Sequence, residues 1–148
     1  MSTRSIISVV CRDGLVRSAY CHQDGYLQHN GRILVEHYNS QEKAETLVAP
    51  GNMNYLRARC DKPDGHTADS PVAGVTVYQE RDAGCPADEV AVRIYPDAEA
   101  SMEGESDRMI GYYYLYDGSC WKVKYHTNRG WQYCPLRQAL RNAARRAA

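Results

Sequence analysis

Phenylalanine is missing from the 148-residue chain, which has twelve tyrosines and two tryptophans as its aromatic residues. A tyrosine ring can be buried while its hydroxyl keeps a partner, so several of these rings are expected at sheet edges or in a pocket. Net charge is missing too, because eighteen Lys and Arg offset eighteen Asp and Glu. Non-specific nucleic-acid binding usually needs a basic excess, so the balance counts against it. No apolar run approaches the roughly 20 residues of a membrane-spanning helix, and no membrane partner is expected. The apolar stretch near Met1 ends at Arg12 and Asp13, too soon for a secretory signal, so the expected location is the cytoplasm. Glycine-rich phosphate loops, G-x-S-x-G and H-E-x-x-H are all absent, which removes the most readable enzyme signatures.

Close cysteine pairs are lacking as well. The six cysteines, at 11, 21, 60, 85, 120 and 134, never come within four residues of each other. Structural zinc usually takes paired ligands, and a reducing compartment disfavours disulfides. These cysteines read as small buried or half-buried thiols, with no metal and no cofactor expected. What remains is ordinary for one globular domain spanning residues 1–148, with 43% apolar and 24% charged residues.

"SIISVVC" and "VRSAYCH" flank Asp13-Gly14, a hairpin signal. A two-residue turn there pairs Ile7 with Tyr20 and Ile6 with Cys21. Asn30 is expected to cap a helix over 31–38, and Ser40 a second over 41–49 that Pro50-Gly51 stops. "NMNYL" reads as one further helical turn. "GVTVYQE" and "EVAVRIY" read as middle strands, while 61–71 and 96–108 read as mobile loops, the second acidic. A second hairpin about Asp117-Gly118 pairs Tyr114 with Trp121 and Tyr112 with Val123. One face then carries Tyr112, Tyr114, Trp121, Val123 and Tyr125, and the other Lys122 and Lys124. The aromatic face reads first as sheet core and second as a base-stacking surface. Pro135 opens a last helix with an Arg137, Arg141, Arg145 stripe, either a solvated face or a grip on an acidic partner or nucleic acid. The expected fold is α+β: an antiparallel sheet of two β-hairpins plus one or two middle strands, covered by two or three helices.

The stretch "YCHQDGYLQHNGRILVEHY" is the best candidate site. His22 is a candidate general base or ligand by its residue type, and Asp24 is placed to orient it. Tyr26 and Asn30 add hydrogen-bonding groups at an expected helix start, whose free N–H groups favour an anion. Arg32 in that first turn opposes the helix dipole unless an anion is present. Arg81 and Asp82, after a middle strand, are a lesser candidate that can fold back toward this region. The alternative is a purely structural junction, with Asp24-Gly25 as a turn and Tyr26 packed on the helix.

The runs from "MSTRSIISV" through "YCHQDGYLQHNGRILVEHY", with "VTVYQERDAG" and "YLYDG", resemble a family of small bacteriophage and prophage proteins. Its signature, M-S-T-R-S … Y-C-H-x-D-G-Y … N-G-x-x-L-x-x-H-Y, is matched over most of Met1 to Leu56, and further matches fall at Val75–Gly84 and Tyr114–Gly118. The chain departs from it at Pro50, Cys85 and the last helix. The resemblance brings no activity with it. It implies a phage accessory protein in a bacterial host cytoplasm, of a kind that often inhibits host enzymes or antiviral defence. The leading expectation is a protein that binds and neutralises a host factor, by protein–protein contact or by sequestering a nucleotide-type small molecule. The alternative is a small hydrolase or transferase with His22 as general base, oriented by Asp24, on an anionic substrate.

Overall fold

In the computed structural model, which describes residues 3–106 and 109–147, the first hairpin joins β1 (Ser5–Val10) to β2 (Val16–Cys21). Gly14 N–H donates to Cys11 O and Cys11 N–H to Leu15 O, so the loop holds three residues, Arg12 to Gly14. Gly14 takes φ +84°, the left-handed position that a bulged three-residue turn requires. The register therefore differs by one residue from the two-residue expectation: Ile7 faces Ala19, and Ile6 faces Tyr20. A one-residue slip exchanges the faces of a strand. It sends Cys21 to one side of the sheet, and Tyr20 with His22 to the other.

The second hairpin joins β6 (Tyr112–Tyr116) to β7 (Trp121–Thr127). Its loop is Asp117 to Cys120, in which Asp117 Oδ1 accepts from the N–H groups of Ser119 and Cys120. Tyr114 consequently faces Val123 rather than Trp121, and Tyr112 faces Tyr125. This two-residue shift preserves the faces. Tyr114, Trp121, Val123 and Tyr125 are buried together as expected, with Tyr112 half-buried beside them.

Between them lie the short strands β3 (Met53–Tyr55), β4 (Val77–Tyr78) and β5 (Arg93–Tyr95), and β8 (Gly130–Pro135) follows β7. The strand order is β4-β3-β2-β1-β6-β7-β8, with β5 also pairing to β2. The sheet is mixed, not purely antiparallel, because β1 pairs parallel with β6 and β2 parallel with β3. A parallel pair needs a crossover. A π-helical turn (Leu27–Gly31), α1 (Arg32–His37) and α2 (Gln41–Val48) supply the one from β2 to β3. Ser40 caps α2 by accepting from Lys43 N–H, as its position predicts. "NMNYL" contributes β3 instead of a helical turn. "EVAVRIY" splits between α3 (Ala87–Val90) and β5.

Residues 61–71 form a loop, held by specific bonds, whereas 96–108 contains a helix in place of the expected loop. Within 61–71, His66 is buried with both ring nitrogens engaged, Nδ1 accepting from Val72 N–H and Nε2 donating to Thr76 O. Within 96–108, Asp97 caps α4 (Ala98–Gly104) by accepting from Ala100 N–H; residues 107 and 108 lie outside the described part.

α1, α2 and α5 (Leu136–Ala147) pack Leu34, Leu47 and Leu136 onto the sheet face that carries Ile7, Val9 and Tyr114. Tyr114 donates its hydroxyl to Gly25 O and Trp121 Nε1 donates to Tyr38 O, so these two large side chains bury no unpaired polar atom. On the opposite face Ile6, Ile110 and Tyr113 form a smaller cluster. Here the Glu105 carboxylate, at the end of α4, is buried against the Arg93 guanidinium and the Tyr95 hydroxyl of β5.

Gly51, between α2 and β3, has φ +95°, and a Cβ there would lie 2.5 Å from Val90 O. Gly51→Ala is expected to cost about 1–3 kcal/mol of stability from backbone strain alone. Urea unfolding measures this; an unchanged midpoint would show that the loop relaxes freely.

Candidate functional site

The stretch from Tyr20 to Arg32 does not converge on one hollow. His22 is half-buried, and its Nδ1 pairs with the Tyr20 hydroxyl at 2.7 Å, so Tyr20 orients it rather than Asp24. Asp24 sits at φ +57°, a left-handed conformation that Asp tolerates, and its carbonyl accepts from Asn30 N–H. Asp24 is the turn residue that starts the helical run. Tyr26 is exposed, with its ring 6.0 Å from that of His29.

Asn30 is not a helix cap. Helical structure begins at Leu27, and Asn30 points inward, fully buried, with Nδ2 donating to Ser5 Oγ and Cys21 Sγ while Oδ1 meets His29 Nδ1 at 2.9 Å. Arg32 therefore lies inside a continuous helical run, away from free N–H groups, and is exposed with no charged partner among the described residues. The expected phosphate cradle at 30–32 has no helix end to build it.

Arg81 and Asp82 belong to a different cluster. The buried Asp82 carboxylate accepts from Tyr78 N–H at 2.8 Å, from Arg81 Nε at 2.9 Å and from Lys62 Nζ at 3.2 Å. Arg81 also donates to the carbonyls of Cys60 and Asp61. With His66 Nε2 3.5 Å from Asp82 Oδ2, this network staples 61–71 to the β4 turn. Through Thr76 and Arg57, whose Nη1 lies 3.4 Å from His29 Nε2, the network is linked indirectly to His29 and Asn30 of the Tyr20–Arg32 stretch.

Three of the six cysteines are disfavoured as thiolates by their burial. Burial pushes the Cys21 thiol up to about 11 and raises Cys60 and Cys134, so none is a ready thiolate. Among the described residues no three His, Cys, Asp or Glu are grouped to hold a metal. Among them, too, no helix is long and apolar enough to cross a membrane.

The concentrated chemistry lies at the other end of the sheet. From Gly118 onward the chain has seven Lys and Arg and no Asp or Glu, whereas residues 1–117 have eleven and eighteen. The fold gathers this basic segment into β7, β8 and α5. Between the β7–β8 ribbon and α5 runs a cleft of about 560 Å³, lined by Arg129, Arg145 and Arg146 together with Gln132, Gln138 and Asn142. The turn at its mouth is set by Thr127, whose hydroxyl accepts from Arg129 N–H and donates to Gly130 O.

No family model matches the chain, and no curated protein or solved structure matches it.

On the outer face of the same ribbon, Trp131 and Tyr133 of β8 are about half exposed, at 49% and 50%. Trp131 is held edge-on by His126 and Tyr113, with ring centroids 5.4 and 6.0 Å away. Lys124 lies 5.4 Å from the Trp131 ring and Lys122 5.9 Å from that of Tyr133. Lys122 is paired with Asp117, but Lys124 has no carboxylate partner among the described residues. Both signals were present in the sequence. Averaging charge over the whole chain concealed the first, and leaving 130–134 unassigned concealed the second; Pro135, expected to open the last helix, ends β8, and α5 starts at Leu136.

Burial alone would raise the Asp82 carboxyl, but hydrogen bonds from Arg81, Tyr78 N–H and Lys62 hold it below its ordinary value of 3.8. A depressed carboxylate stabilises the fold above its ordinary value, and that stabilisation is lost as pH falls through the lower folded value. Asp82→Asn is therefore expected to cost about 1–3 kcal/mol at neutral pH and to flatten the acid limb below about pH 4. Urea unfolding at both pH values checks this; matching acid limbs for the two proteins would refute it.

Proposed function

We propose that this is a binding protein, not an enzyme, and that it takes a polyanionic partner on its basic C-terminal unit. The segregation of charge carries the reading: seven cations and no acid after Asp117, folded onto one ribbon and one helix. Arg129, Arg145 and Arg146 lie along a single cleft, and Arg137 and Arg141 continue the charge along exposed α5. Clustered cations raise the local concentration of an anionic partner even when the net charge is zero. In the phage setting that the amino-terminal signature implies, the partner belongs to the host cell and is neutralised by capture. The hydrolase or transferase alternative needs His22 to be served by Asp24, and His22 is bonded to Tyr20 instead.

Heparin, a polyanion without bases, tests the charge reading alone. The wild-type protein is expected to bind immobilised heparin at low salt and to elute as salt displaces it. The Arg141→Glu/Arg145→Glu/Arg146→Glu variant is expected to elute much earlier, with a shallower salt dependence. All three side chains are exposed, so folding is retained and can be confirmed by circular dichroism. A wild-type protein that flows through at about 50 mM salt would sink the reading.

A further inference from the structure

We infer that the polyanion is single-stranded RNA, with bases stacked on Trp131 and Tyr133 and phosphates held by Lys124 and the cleft arginines. The inference rests on the proposed polyanion reading and adds what charge alone does not supply. Large aromatic rings half exposed on a sheet, flanked by lysines, form a surface that bases can stack on and a backbone can follow. The alternation of β8 puts both rings on one face, two residues and about 7 Å apart along the strand. Stacked bases in a duplex rise only about 3.4 Å per step, so these rings match bases drawn out of their stack.

The other side of the ribbon favours RNA. Gln132, Gln138 and Asn128 border the cleft, and their side-chain amides have no partner among the described residues. Phosphate oxygens only accept hydrogen bonds, and the arginines satisfy them. The acceptor half of each exposed amide can exchange water for the ribose 2′-hydroxyl, a donor that deoxyribose lacks. The β7–β8 tip, with Asn128 and Arg129, joins the stacking face to the cleft, so one strand can pass over it and touch both. On the inner side of the face α4 presents Glu99 and Glu103 across a groove from Tyr133 and Lys124. These carboxylates repel phosphate and direct the path outward, along β8.

The experiment compares fluorescence anisotropy of a labelled 12-mer oligo(U), the matching oligo(dT), an RNA duplex of the same length, and heparin. Oligo(U) is expected to bind more tightly than duplex or oligo(dT), and to quench Trp131. Trp121, which is buried, supplies the unchanged background. Trp131→Ala/Tyr133→Ala is expected to weaken oligo(U) binding by roughly 5- to 100-fold, with heparin retention unchanged. Glu99→Gln/Glu103→Gln is expected to strengthen it. Duplex or oligo(dT) bound as tightly as oligo(U), or an aromatic double variant that binds oligo(U) like wild type, would overturn the inference while leaving heparin binding intact. Loss of heparin binding in the wild type would instead remove the polyanion reading beneath it.

Discussion

The fold depends on β1 having no exposed face. It is bonded along one edge to β2 and along the other, in parallel, to β6, and Ser5, Ile6, Ile7, Ser8 and Val9 are all buried. Burying a side chain such as Ile6, Ile7 or Val9 contributes roughly 1.5–3 kcal/mol, but only if both faces are covered. The helices cover one face. On the other, α4 lies over β2 and β5, where Glu105 ties it down through Arg93 and Tyr95. The two serines in the strand avoid the cost of burial by finding partners: Ser8 meets Ser18 at 2.7 Å, and Ser5 accepts from Asn30. Since α4 is short and anchored on the β2 side, the outer face of β7 and β8 is left open. The exposed rings there follow from where the cover ends.

The same need explains the polar run that marks the amino-terminal third. Gly25 lets the turn approach the first strand, because a Cβ there would lie 2.8 Å from Ser5 Cβ and 2.9 Å from Thr3 O. Gly31 brings the π-helical turn within 3.2 Å of Leu136 on the same measure, and Tyr114 reaches past it to Gly25 O. Asp24 starts the turn, Asn30 ties the helix to Ser5 and Cys21, and Tyr20 holds His22. A run of polar and small residues can be specific because each member performs a different packing task. Such a run looks like a site in sequence, where hydrogen-bond partners are not visible.

Strand alternation and turn signals made both hairpins, the Ser40-capped helix and the tyrosine core legible. The first register was missed because Asp13-Gly14 is consistent with either a two- or a three-residue loop, and only the Cys11–Leu15 bonds distinguish them. The parallel pairings were hidden because Ser5–Val10 and Tyr112–Tyr116 lie far apart along the chain, and period-two alternation does not encode a neighbour. Asp97 was read as one acid in a loop, although the residues after it suit a helix that it caps. The strand 130–135 failed for a different reason. Its alternation, Trp131-Gln132-Tyr133, is only three residues long and turns the aromatic residues outward, since it is an edge strand with little core behind it.

A balanced composition says nothing about where the charges are. With the acids confined to residues 1–117 and seven cations but no acid in residues 118–148, the chain behaves electrostatically as a dipole rather than as a neutral body. An approaching anion is turned toward the β7–β8–α5 end at distances where the Debye length still permits it. The acids of α4 and its flanks, Asp97, Glu99 and Glu103, repel the same anion, which narrows the accessible orientations without adding affinity. Close to the surface, charge ceases to discriminate, because every polyanion satisfies an arginine equally. In the proposed reading, selection then passes to groups that are indifferent to charge: the open rings of Trp131 and Tyr133, and the amides of Gln132 and Gln138 across the ribbon.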